Sequence, residues 1–395
     1  MRILQVYPYY YPAWNYGGVT RVVYEISKRL CEMGHDVTVY TTDALDSKSR
    51  IRIKSNPTII NGVKTFYFKN LSNYLTYKHH IPLPLEMHLK IKNEVKRYDI
   101  VHLHGYHHML NVIVHYYAKK IGVPYVLQPH GSLPRIIEKQ GLKKLYDWVW
   151  GYKILKDASK VIALTKTEAE QCRMMGVDED KIEIIPNGID LSEYENLPEK
   201  GEFRKRYRIK DDEKIILYLG RIHKIKGPDL LARAFAELSR KIEDVKLVIV
   251  GPDDGFLSTL KTQIEDLKVE DKILFTGPLY EKDKLKAYVD ADVYVLPSVY
   301  ETFPVAVLEA CACGTPVIVT DGCGIAEIVE GKAGYVVEYD KDQLRDVIIE
   351  VLSDEGLRRR FEEEGRSLVR KEFEWDIVVK RIEKIYHQTL EHFLN

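Results

Sequence analysis

The chain of 395 residues contains 45% hydrophobic and 30% charged residues, and its 59 basic side chains are balanced by 59 acidic ones. This length is sufficient for two ordinary domains, and no apolar run approaches the roughly 20 residues that a membrane-spanning helix needs. The five cysteines show no CxxC spacing, and the first residues are typical of a buried strand rather than a secretory signal, so we expect a cytoplasmic protein without a disulfide framework or a zinc site.

The first half of the chain alternates short apolar segments with amphipathic ones. The apolar segments lack strict alternation, which is typical of strands covered by helices on both faces. They predict strands over Ile3–Tyr7, Asp36–Thr41, Ile100–His102, Tyr125–Leu127, Val161–Leu164 and Ile182–Ile185. The amphipathic segments predict helices over Thr20–Met33, Leu110–Ile121, Leu142–Leu155 and Lys166–Met174. Asn61-Gly62 predicts a hairpin that joins Thr58–Ile60 to Val63–Phe68.

The second half repeats this order after a turn-rich, charged segment from Asn187 to Asp211, which is the best linker candidate. Strands are predicted over Ile215–Leu219, Lys246–Val250, Ile273–Thr276, Val293–Leu296, Val317–Val319 and Tyr335–Val337, with helices over Leu230–Arg240, Leu257–Leu267, Lys284–Val289 and Val305–Cys313. A βαβα order implies parallel sheets. The sequence therefore predicts an α/β protein with two open sheets, which bind ligands at the carboxyl ends of their strands and in a cleft between the sheets.

Charge is distributed unevenly along the chain. Between Lys48 and Lys166 there are 21 Lys and Arg but 6 Asp and Glu, together with several histidines. One interpretation is a solvated basic face without a partner. The other is a surface for an anionic partner, such as an anionic membrane surface, a lipid phosphate or an acidic glycan. In that case the protein would be peripheral at the inner membrane face. Nucleic acid is not expected, because no recognisable nucleic-acid module accompanies the charge.

Arg221 and Lys226, two cations five residues apart, follow the strand that ends at Leu219, in the segment Gly220-Arg221-Ile-His-Lys-Ile-Lys226-Gly227-Pro228. Arginine offers a planar fork to phosphate oxygens, and lysine offers a flexible point charge. Together they suit a diphosphate that is held and then stabilised as it departs. A solvated basic loop is the alternative for this segment taken alone.

Two glutamates follow the strand that ends at Leu296. Glu301 lies just ahead of the helix that Pro304 would open in its first turn, and Glu309 lies within that helix. Eight residues at about 1.5 Å each separate them by roughly 12 Å, about the distance from the sugar to the ribose in an extended nucleotide sugar. Between them, N–H groups at the start of the helix would face a phosphate. The alternative is an amphipathic helix with two exposed glutamates.

These motifs resemble those of the family-four glycosyltransferases, which are retaining enzymes of the two-Rossmann (GT-B) fold. Glu301 to Glu309 matches the family's E-x7-E motif, and Arg221 with Lys226-Gly227 matches its diphosphate-binding loop. The match continues through Ala310, Gly314, Thr315 and Pro316, and the segment from Ile185 to Asp190 matches the family's end of the first domain. The resemblance extends over nearly the whole chain.

The resemblance implies roles for these residues in binding a donor. Arg221 and Lys226 would hold the diphosphate, Glu301 would contact hydroxyls of the donor sugar, and Glu309 would bind the ribose. Phe303, Pro304 and Val305 complete this predicted donor-binding segment. Many members have glycine where this chain has Pro304, which removes one N–H donor. The N–H groups of Val305 and Ala306 remain, so we expect phosphate binding to survive.

The first half supplies candidates of its own. Gly17-Gly18 follows the first strand, where glycine lets the backbone approach a ligand closely, and the resemblance implies a position beside the donor phosphate. His130 in Gln128-Pro-His-Gly131 matches the family's active-site histidine by motif position, which implies contact with a hydroxyl of the transferred sugar. A structural histidine is the alternative for His130.

His102 and His104 lie at the end of the strand that begins at Ile100, with His107 and His108 close behind. We consider His102 and His104 acceptor-side candidates. Packing is the alternative, and a metal site is disfavoured because no carboxylate or cysteine lies nearby in sequence.

Two further segments complete the predicted organisation. Asp290-Ala-Asp292 has the form of a DxD metal motif, but it precedes a strand instead of following one, so we interpret it as structural and expect no metal. The segment from Phe373 begins a long C-terminal helix that, in the resembling family, crosses back to the first domain. The predicted domains are therefore 1–195 on the acceptor side, with helix 376–395 packed onto it, and 196–375 on the donor side.

We therefore expect a retaining transfer of a hexosyl or amino-hexosyl unit from a nucleoside diphosphate sugar to an acceptor hydroxyl. The nucleotide sugar is a co-substrate, no other cofactor is expected, and the acceptor is a glycan or lipid-linked molecule in polysaccharide, glycolipid or lipid-linked glycan synthesis. No carboxylate pair is placed as in double-displacement glycosidases, which favours a front-face route. The alternatives are a GT-B-fold epimerase or phosphorylase and a non-catalytic glycan- or nucleotide-binding subunit. The sequence contains no pattern that identifies the donor base, the donor sugar or the acceptor.

Overall fold

The structure, a computed structural model, describes residues 1–79, 81–133 and 140–394. Contacts between residues divide the chain into two compact units. Unit 1 consists of Met1–Gly188 and Trp375–Asn395, and unit 2 consists of Ile189–Glu374. The contacts thus place the division at Gly188, whereas the sequence suggested a position near residue 195. None of the described helices has the length and apolar character needed to cross a membrane.

Unit 1 is built on eight strands, which are β1 (Arg2–Val6), β2 (Asp36–Thr42), β3 (Thr58–Ile60), β4 (Val63–Phe68), β5 (Ile100–His104), β6 (Tyr125–Gln128), β7 (Lys160–Ala163) and β8 (Ile182–Ile184). They form one sheet in the order β3-β4-β2-β1-β5-β6-β7-β8. Neighbouring strands are parallel except β3 and β4, which form the predicted antiparallel hairpin. Its turn residues Asn61 and Gly62 have φ values of 47° and 81°, as a type I′ turn requires.

Helices cover both faces of this sheet. They are α1 (Gly18–Glu32), α2 (Asn73–His79), α3 (Met87–Glu94), α4 (Met109–Ile121), α5 (Gln140–Tyr146), α6 (Tyr152–Asp157) and α7 (Lys166–Met174). One buried cluster of apolar side chains packs beneath α1, and a second packs beneath α3, α4 and α6. The sequence analysis did not predict α2 and α3, which are short.

The helix predicted over Leu142–Leu155 is confirmed, but it is not regular throughout. Between α5 and α6 the chain forms a π turn over Asp147–Gly151, with both of its end residues buried. A side chain at Gly151 would lie 2.3 Å from the hydroxyl of Tyr106, so the close approach of this turn to Tyr106 requires glycine. The wider turn keeps Asp147 and Gly151 on the inner face, and such turns are frequent at functional sites.

Unit 2 is built on six strands, which are β9 (Lys214–Leu219), β10 (Val245–Val250), β11 (Ile273–Gly277), β12 (Val293–Leu296), β13 (Val317–Thr320) and β14 (Gly334–Val337). The sheet is parallel throughout, in the order β11-β10-β9-β12-β13-β14. The helices of this unit are α8 (Glu202–Tyr207), α9 (Pro228–Leu238), α10 (Leu257–Leu267), α11 (Glu281–Asp290), α12 (Val305–Cys313), α13 (Ala326–Val329), α14 (Lys341–Ser353) and α15 (Glu355–Glu372).

The segment proposed as a linker, Asn187 to Asp211, is largely part of unit 2. It contains α8, where Phe203 and Arg204 are buried. The carboxylate of Asp290 accepts hydrogen bonds from the backbone N–H groups of Gly201 and Arg204, at 2.5 Å and 2.9 Å. Asp292 pairs with the Arg204 guanidinium and accepts from the backbone of Ile215. Both carboxylates of the DxD sequence therefore hold α8 on the sheet, which confirms their structural interpretation.

The last helix of the chain, α16 (Trp375–Leu394), belongs to unit 1. Its apolar face packs into the cluster beneath α1 through Trp375, Val379, Ile382 and Tyr386. Gly188 lies directly on the indole ring, because a side chain at this position would approach Trp375 to 2.5 Å. The core of unit 1 therefore contains residues from both ends of the chain.

Candidate active site

Strand order reverses once in each sheet, and candidate site residues follow the strands at both reversals. In unit 1 the reversal lies between β1 and β5, and in unit 2 it lies between β9 and β12. The loops after two such strands run in opposite directions and leave a crevice at the carboxyl edge of the sheet, where α/β proteins bind ligands. In unit 2 these loops carry Arg221, Lys226 and Glu301.

The two loops of unit 2 come together at a glycine. Gly227 has a φ of 67°, and a side chain there would lie 2.0 Å from the carbonyl oxygen of Pro297. The N–H of Val299 also donates to the carbonyl oxygen of Ile225, at 2.8 Å. Glycine is required at residue 227, because any other side chain would separate the loop after β9 from the loop after β12.

This close approach places Lys226 against Glu301, and the two side chains form an ion pair. Their side chains are 16% and 18% exposed. Glu301 is fixed through its backbone, which donates to Gly322 and accepts from Gly324. Burial, with a smaller contribution from the charge of Arg221, lowers the pKa of Lys226 to about 8. The two side chains are thus in contact, but burial removes water from the Lys226 cation and destabilises it.

Arg221 has a different environment in the same crevice. Its side chain is 62% exposed and pairs with Asp254, which lies in the loop after β10, at 2.5 Å. The Arg221 backbone is held by the hydroxyl of Tyr218, which donates to its carbonyl oxygen at 2.8 Å. Because exposed ion pairs are weak, the guanidinium can exchange its carboxylate partner for a phosphate.

Glu309 lies on α12 and is 13% exposed. Its carboxylate accepts hydrogen bonds from Lys284 at 2.7 Å and from the hydroxyl of Tyr288 at 3.0 Å. The alternative of two exposed glutamates is therefore wrong, because both carboxylates are mostly buried and paired. Lys284 and Tyr288 were missed by the sequence analysis. Their spacing of four residues on α11 places them on one helix face, but their approach to Glu309 is a tertiary contact.

The segment between the two glutamates begins α12. Pro304 is the N-cap of this helix, so it precedes the first turn instead of lying within it. The N–H groups of Val305 and Ala306 therefore lie at the helix start, where no intrahelical acceptor exists. Phe303 is buried, and its ring packs 6.1 Å from that of Phe373. Phe303 supports the loop, and its side chain points into the core.

The glycine pair of unit 1 begins α1. Gly17 is the N-cap, with a φ of 101°, and Gly18 is the first helical residue. A side chain on either glycine would meet no other atom within 4 Å. The space beside this turn is therefore open, and the conformation of Gly17 itself favours glycine.

The histidines of β5 and the turn after β6 form one buried hydrogen-bond network. His104 contacts Nε2 of His130 through Nδ1, at 2.9 Å, and the side-chain oxygen of Gln5 through Nε2, at 2.6 Å. The amide of Gln5 donates to the hydroxyl of Tyr386 on α16, which contacts Nδ1 of His102 at 2.6 Å. The network thus runs from the turn after β6, through β5 and β1, to the last helix of the chain.

The positions of the protons in this network follow from the Gln5 amide. Its oxygen accepts, so Nε2 of His104 carries the proton and Nδ1 accepts from His130. His130 then has its proton on Nε2, and its Nδ1, which has no partner among the described residues, is a hydrogen-bond acceptor. Burial lowers the pKa of His130 to about 3 and places the pKa values of His102 and His104 well below the usual range. All three rings are therefore neutral near pH 7.

A buried carboxylate fixes the turn that carries His130. His130 and Gly131 have φ values of 55° and 75°, and Glu168 accepts hydrogen bonds from the N–H groups of Gly131 and Leu164, at 2.5 Å and 2.7 Å. Burial raises the pKa of Glu168 to about 7. The sequence analysis missed Glu168, although Thr165-Lys-Thr-Glu168 is a capping-box pattern. Its carboxylate bonds to the His130 turn, which that pattern does not predict.

A cavity of about 500 Å³ opens in unit 1 at the carboxyl edge of β1, β5 and β6. His102 and His104 were predicted on the acceptor side, but they are fully buried and do not appear among its lining residues. His107 and His108 line it instead, and His107 contacts the buried carboxylate of Asp147 at 3.0 Å. The described lining residues are mostly aromatic or aliphatic and include Tyr7, Tyr9, Tyr16, Ile81, Pro82, Met109, Leu142, Leu145, Tyr146 and Trp150.

Comparison of the solved structures identifies the class of protein. The structure of HepE from Anabaena in complex with UDP superimposes with a TM-score of 0.78 at 18% identity and covers 98% of this chain and 100% of its own. Two α/β units, each built on a mostly parallel sheet, together with this structural similarity define the GT-B fold. Among the described residues, no group of three His, Cys, Asp or Glu side chains is arranged to hold a metal ion.

The sequence comparisons identify the family. The model for glycosyl transferases group 1 matches residues 199–368, and the model for Glycosyltransferase Family 4 matches residues 16–193. An uncharacterised glycosyltransferase of Methanocaldococcus jannaschii is 30% identical over 401 residues, which is 96% of this chain and 97% of that protein. The chain belongs to the group 1 glycosyltransferases, and it is an enzyme of that class.

Two characterised relatives differ in their acceptors. N-acetyl-alpha-D-glucosaminyl L-malate synthase of Bacillus anthracis is 27% identical and covers 96% of each chain. UDP-Gal:alpha-D-GlcNAc-diphosphoundecaprenol alpha-1,3-galactosyltransferase of Escherichia coli is 26% identical and covers 85% of this chain and 86% of its own. One name specifies a small hydroxy acid and the other a lipid diphosphate.

The histidine network predicts a fixed tautomer for His130. We expect its ring to stay neutral from pH 8 down to pH 5, with the proton on Nε2, because its pKa is lowered to about 3 by burial. Nitrogen NMR of histidine-labelled protein distinguishes the two ring nitrogens, and the exposed His387 supplies a signal from outside the network. Gln5→Leu removes the acceptor for His104 and should mix the tautomers of His104 and His130. Titration of the His130 ring near pH 6.5 would contradict the assignment.

Proposed function

We propose that this enzyme transfers a hexosyl or amino-hexosyl unit from a nucleoside diphosphate sugar to an acceptor hydroxyl, with retention of anomeric configuration. The observation that carries the proposal is the convergence of Arg221, Lys226 and Glu301 at the reversal of strand order in unit 2, with Glu309 on the helix that follows. Cations suit the diphosphate, and carboxylates suit the hydroxyls of the sugar and the ribose.

In the proposed donor complex, each residue has a distinct task. The exposed guanidinium of Arg221 leaves Asp254 and binds the diphosphate. Lys226 keeps one contact to Glu301 and gives its other N–H groups to the phosphates, where their charge stabilises the departing diphosphate. Glu301 accepts from hydroxyls of the donor sugar. Glu309 accepts from the ribose, and Lys284 and Tyr288 hold its carboxylate in place for that contact.

Retention is supported by the family and by the surroundings of the site. The two carboxylates of the candidate site, Glu301 and Glu309, are paired with Lys226 and Lys284, so neither is a free nucleophile. A front-face route, in which the leaving phosphate helps to deprotonate the acceptor, requires the protein mainly to position the reactants and stabilise charge. We assign to His130 a contact to a hydroxyl of the transferred sugar, which the family resemblance implies, and no role as the base, because a neutral ring with a low pKa is a poor base.

The experiment that tests the function is a panel of UDP-, GDP- and dTDP-sugars. Thermal stabilisation of the protein by one group of these compounds identifies the base and the sugar, because a ligand stabilises the state that binds it. Transfer or slow hydrolysis of that donor, with the anomeric configuration read by NMR, then tests the reaction. Release of an epimerised nucleotide sugar without acceptor would favour the epimerase alternative. Binding without turnover in the presence of acceptors would favour a non-catalytic subunit.

We expect Glu309→Gln to weaken binding of the nucleoside diphosphate by about tenfold or more, because a charged hydrogen bond to the ribose is lost. Isothermal titration calorimetry measures this change. Gln keeps the size of the side chain, and Lys284→Ala tests separately whether orientation of the carboxylate matters. An unchanged affinity in Glu309→Gln would eliminate the ribose role.

We expect donor affinity to depend on pH through Lys226. The unliganded side chain has a pKa of about 8, so the cation is present below pH 8 and is lost above it. Affinity for the donor should therefore be level from pH 6.5 to 7.5 and fall by up to tenfold per pH unit above pH 8. Lys226→Arg should flatten the profile, since arginine stays charged.

The same cations are expected to control turnover. Arg221→Ala and Lys226→Ala should each lower turnover by about 10²–10³-fold, which is typical for the loss of one group that stabilises transition-state charge. Lys241→Ala, an exposed lysine elsewhere in unit 2, is the matched control. Near-normal rates in both variants would remove the diphosphate assignment.

We also propose that the basic stretch of unit 1 meets an anionic membrane surface, as a peripheral protein would at the inner membrane face. The support is the excess of 21 basic over 6 acidic residues between Lys48 and Lys166. Pelleting with liposomes should require anionic lipid and weaken with added salt, because the Debye length shrinks to about 3 Å at 1 M. Equal binding to neutral liposomes would contradict this interpretation.

A further inference from the structure

We propose that the cavity of unit 1 binds the apolar chain of an amphiphilic acceptor, which carries the reacting hydroxyl on its polar end. This inference rests on the proposed function, since it names the class of acceptor for that reaction. The characterised relatives act on acceptors as different as a hydroxy acid and a lipid diphosphate. The class of acceptor must therefore come from the residues of this chain.

The position of the cavity is that of a substrate site. It lies at the reversal of strand order between β1 and β5, and its walls come from the loops after β1, β5 and β6. Ser132, which follows the His130-Gly131 turn by one residue, is among the lining residues. The cavity is therefore adjacent to the turn to which we assign a contact with the transferred sugar.

The walls of the cavity are suited to a hydrocarbon chain. Tyr9 and Tyr16 stack with ring centroids 3.8 Å apart, and Met109, Ile81 and Pro82 add aliphatic surface. A volume of about 500 Å³ is within the range of sites that enclose small ligands. A free glycan would leave most of its hydroxyls against these apolar walls, where unpaired polar groups are costly.

The rim of the cavity favours entry from a lipid phase. Leu142 and Leu145 line the cavity and are 60% and 54% exposed, and Trp148, in the adjoining π turn, is 76% exposed. The acidic residue between positions 140 and 156 is Asp147, which is buried, whereas lysines occupy four positions in this segment. Apolar side chains flanked by lysines are typical of segments that lie at the interface of an anionic bilayer. We therefore assign the cavity to the alkyl or prenyl chain of a lipid acceptor.

Polar groups at one wall suit the other end of that acceptor. His107 contacts the carboxylate of Asp147 through Nε2, at 3.0 Å. Its Nδ1 has no hydrogen-bond partner among the described residues, but this atom is buried, so the cavity does not reach it. Ser132 and Lys143 also line the cavity and bring polar atoms to the head group of the acceptor. The wall thus provides the polar end, and the rim provides the apolar entrance.

The test measures binding of alkyl β-D-glucosides to the full chain by calorimetry, below their micelle concentrations, for methyl, hexyl, octyl and decyl chains. We expect affinity to rise about two- to fourfold per added methylene and to level off when the cavity is full. Their uncharged head groups keep the result separate from attraction between the basic stretch and anionic lipid. Equal affinity for methyl and decyl glucoside, or tighter binding of a soluble oligosaccharide, would overturn the proposal.

Two variants locate the binding. Leu142→Asp places a charge on the rim and should lower decyl glucoside affinity at least tenfold, and Leu145→Asp should act in the same way. Ile59→Asp is the matched control, because Ile59 is also 60% exposed but lies on the hairpin strand β3. Equal losses in Leu142→Asp and Ile59→Asp would place the chain elsewhere and overturn the assignment.

A parallel measurement separates this inference from the proposed function. Binding of the nucleoside diphosphate belongs to unit 2 and should be unchanged in Leu142→Asp. If the alkyl chain binds as expected but no nucleotide sugar is bound or turned over, the proposed function fails while the apolar site stands. If nucleotide sugar is turned over but the affinity for alkyl glucosides does not change with chain length, the apolar site fails while the proposed function stands.

Discussion

The candidate donor site depends on one close contact between two loops. Gly227, in the left-handed region, lets the loop after β9 lie against the carbonyl oxygen of Pro297 in the loop after β12. Without that contact Lys226 and Glu301 could not form a buried pair. The contact lies at the reversal of strand order, where the connections after β9 and β12 run in opposite directions and leave a crevice. This geometry brings together the cations that we propose bind phosphate and the carboxylate that we propose binds the donor sugar.

Burial disfavours the cationic form of side chains in both units, with different consequences. In unit 2 burial destabilises the cation of Lys226. The negative charges of Glu301 and of an incoming phosphate can stabilise that cation again. In unit 1 burial keeps His102, His104 and His130 neutral. A neutral histidine with a fixed proton can orient a hydroxyl without taking its proton, which agrees with a reaction in which the leaving phosphate is the base. The helix α16 contributes Tyr386 to this network, so the chain's last helix supports the turn that carries His130.

The two units provide different kinds of recognition. Unit 2 offers charged groups at fixed positions, whereas unit 1 offers an aromatic cavity with a few polar groups at one wall. Family membership accounts for the first, because its motifs are those of the group 1 glycosyltransferases. It does not account for the second, since relatives of similar identity act on chemically different acceptors. We infer that side chains on the loops of unit 1 specify the acceptor, because loops tolerate change without loss of the fold.

The sequence alone determined the α/β class, most strands and helices, the hairpin at Asn61-Gly62 and the group of residues that follow β9 and β12. These features depend on local patterns and on residues near one another in the chain. Tertiary structure alone decided which side chains meet. Glu168 bonds to Gly131, Lys284 and Tyr288 hold Glu309, and Asp290 holds α8, because folding brings together residues that are distant in sequence.

The predicted acceptor residues also show that local sequence patterns do not determine which side chains meet. His102 and His104 were chosen for their position at a strand end, but β5 lies in the middle of the sheet, and both rings turn into the core. The π turn at Asp147 could not be predicted either, since it follows from the close packing of Gly151 on Tyr106. A local sequence pattern indicates that a polar residue ends a strand. Only packing decides whether that residue faces the cavity or the core.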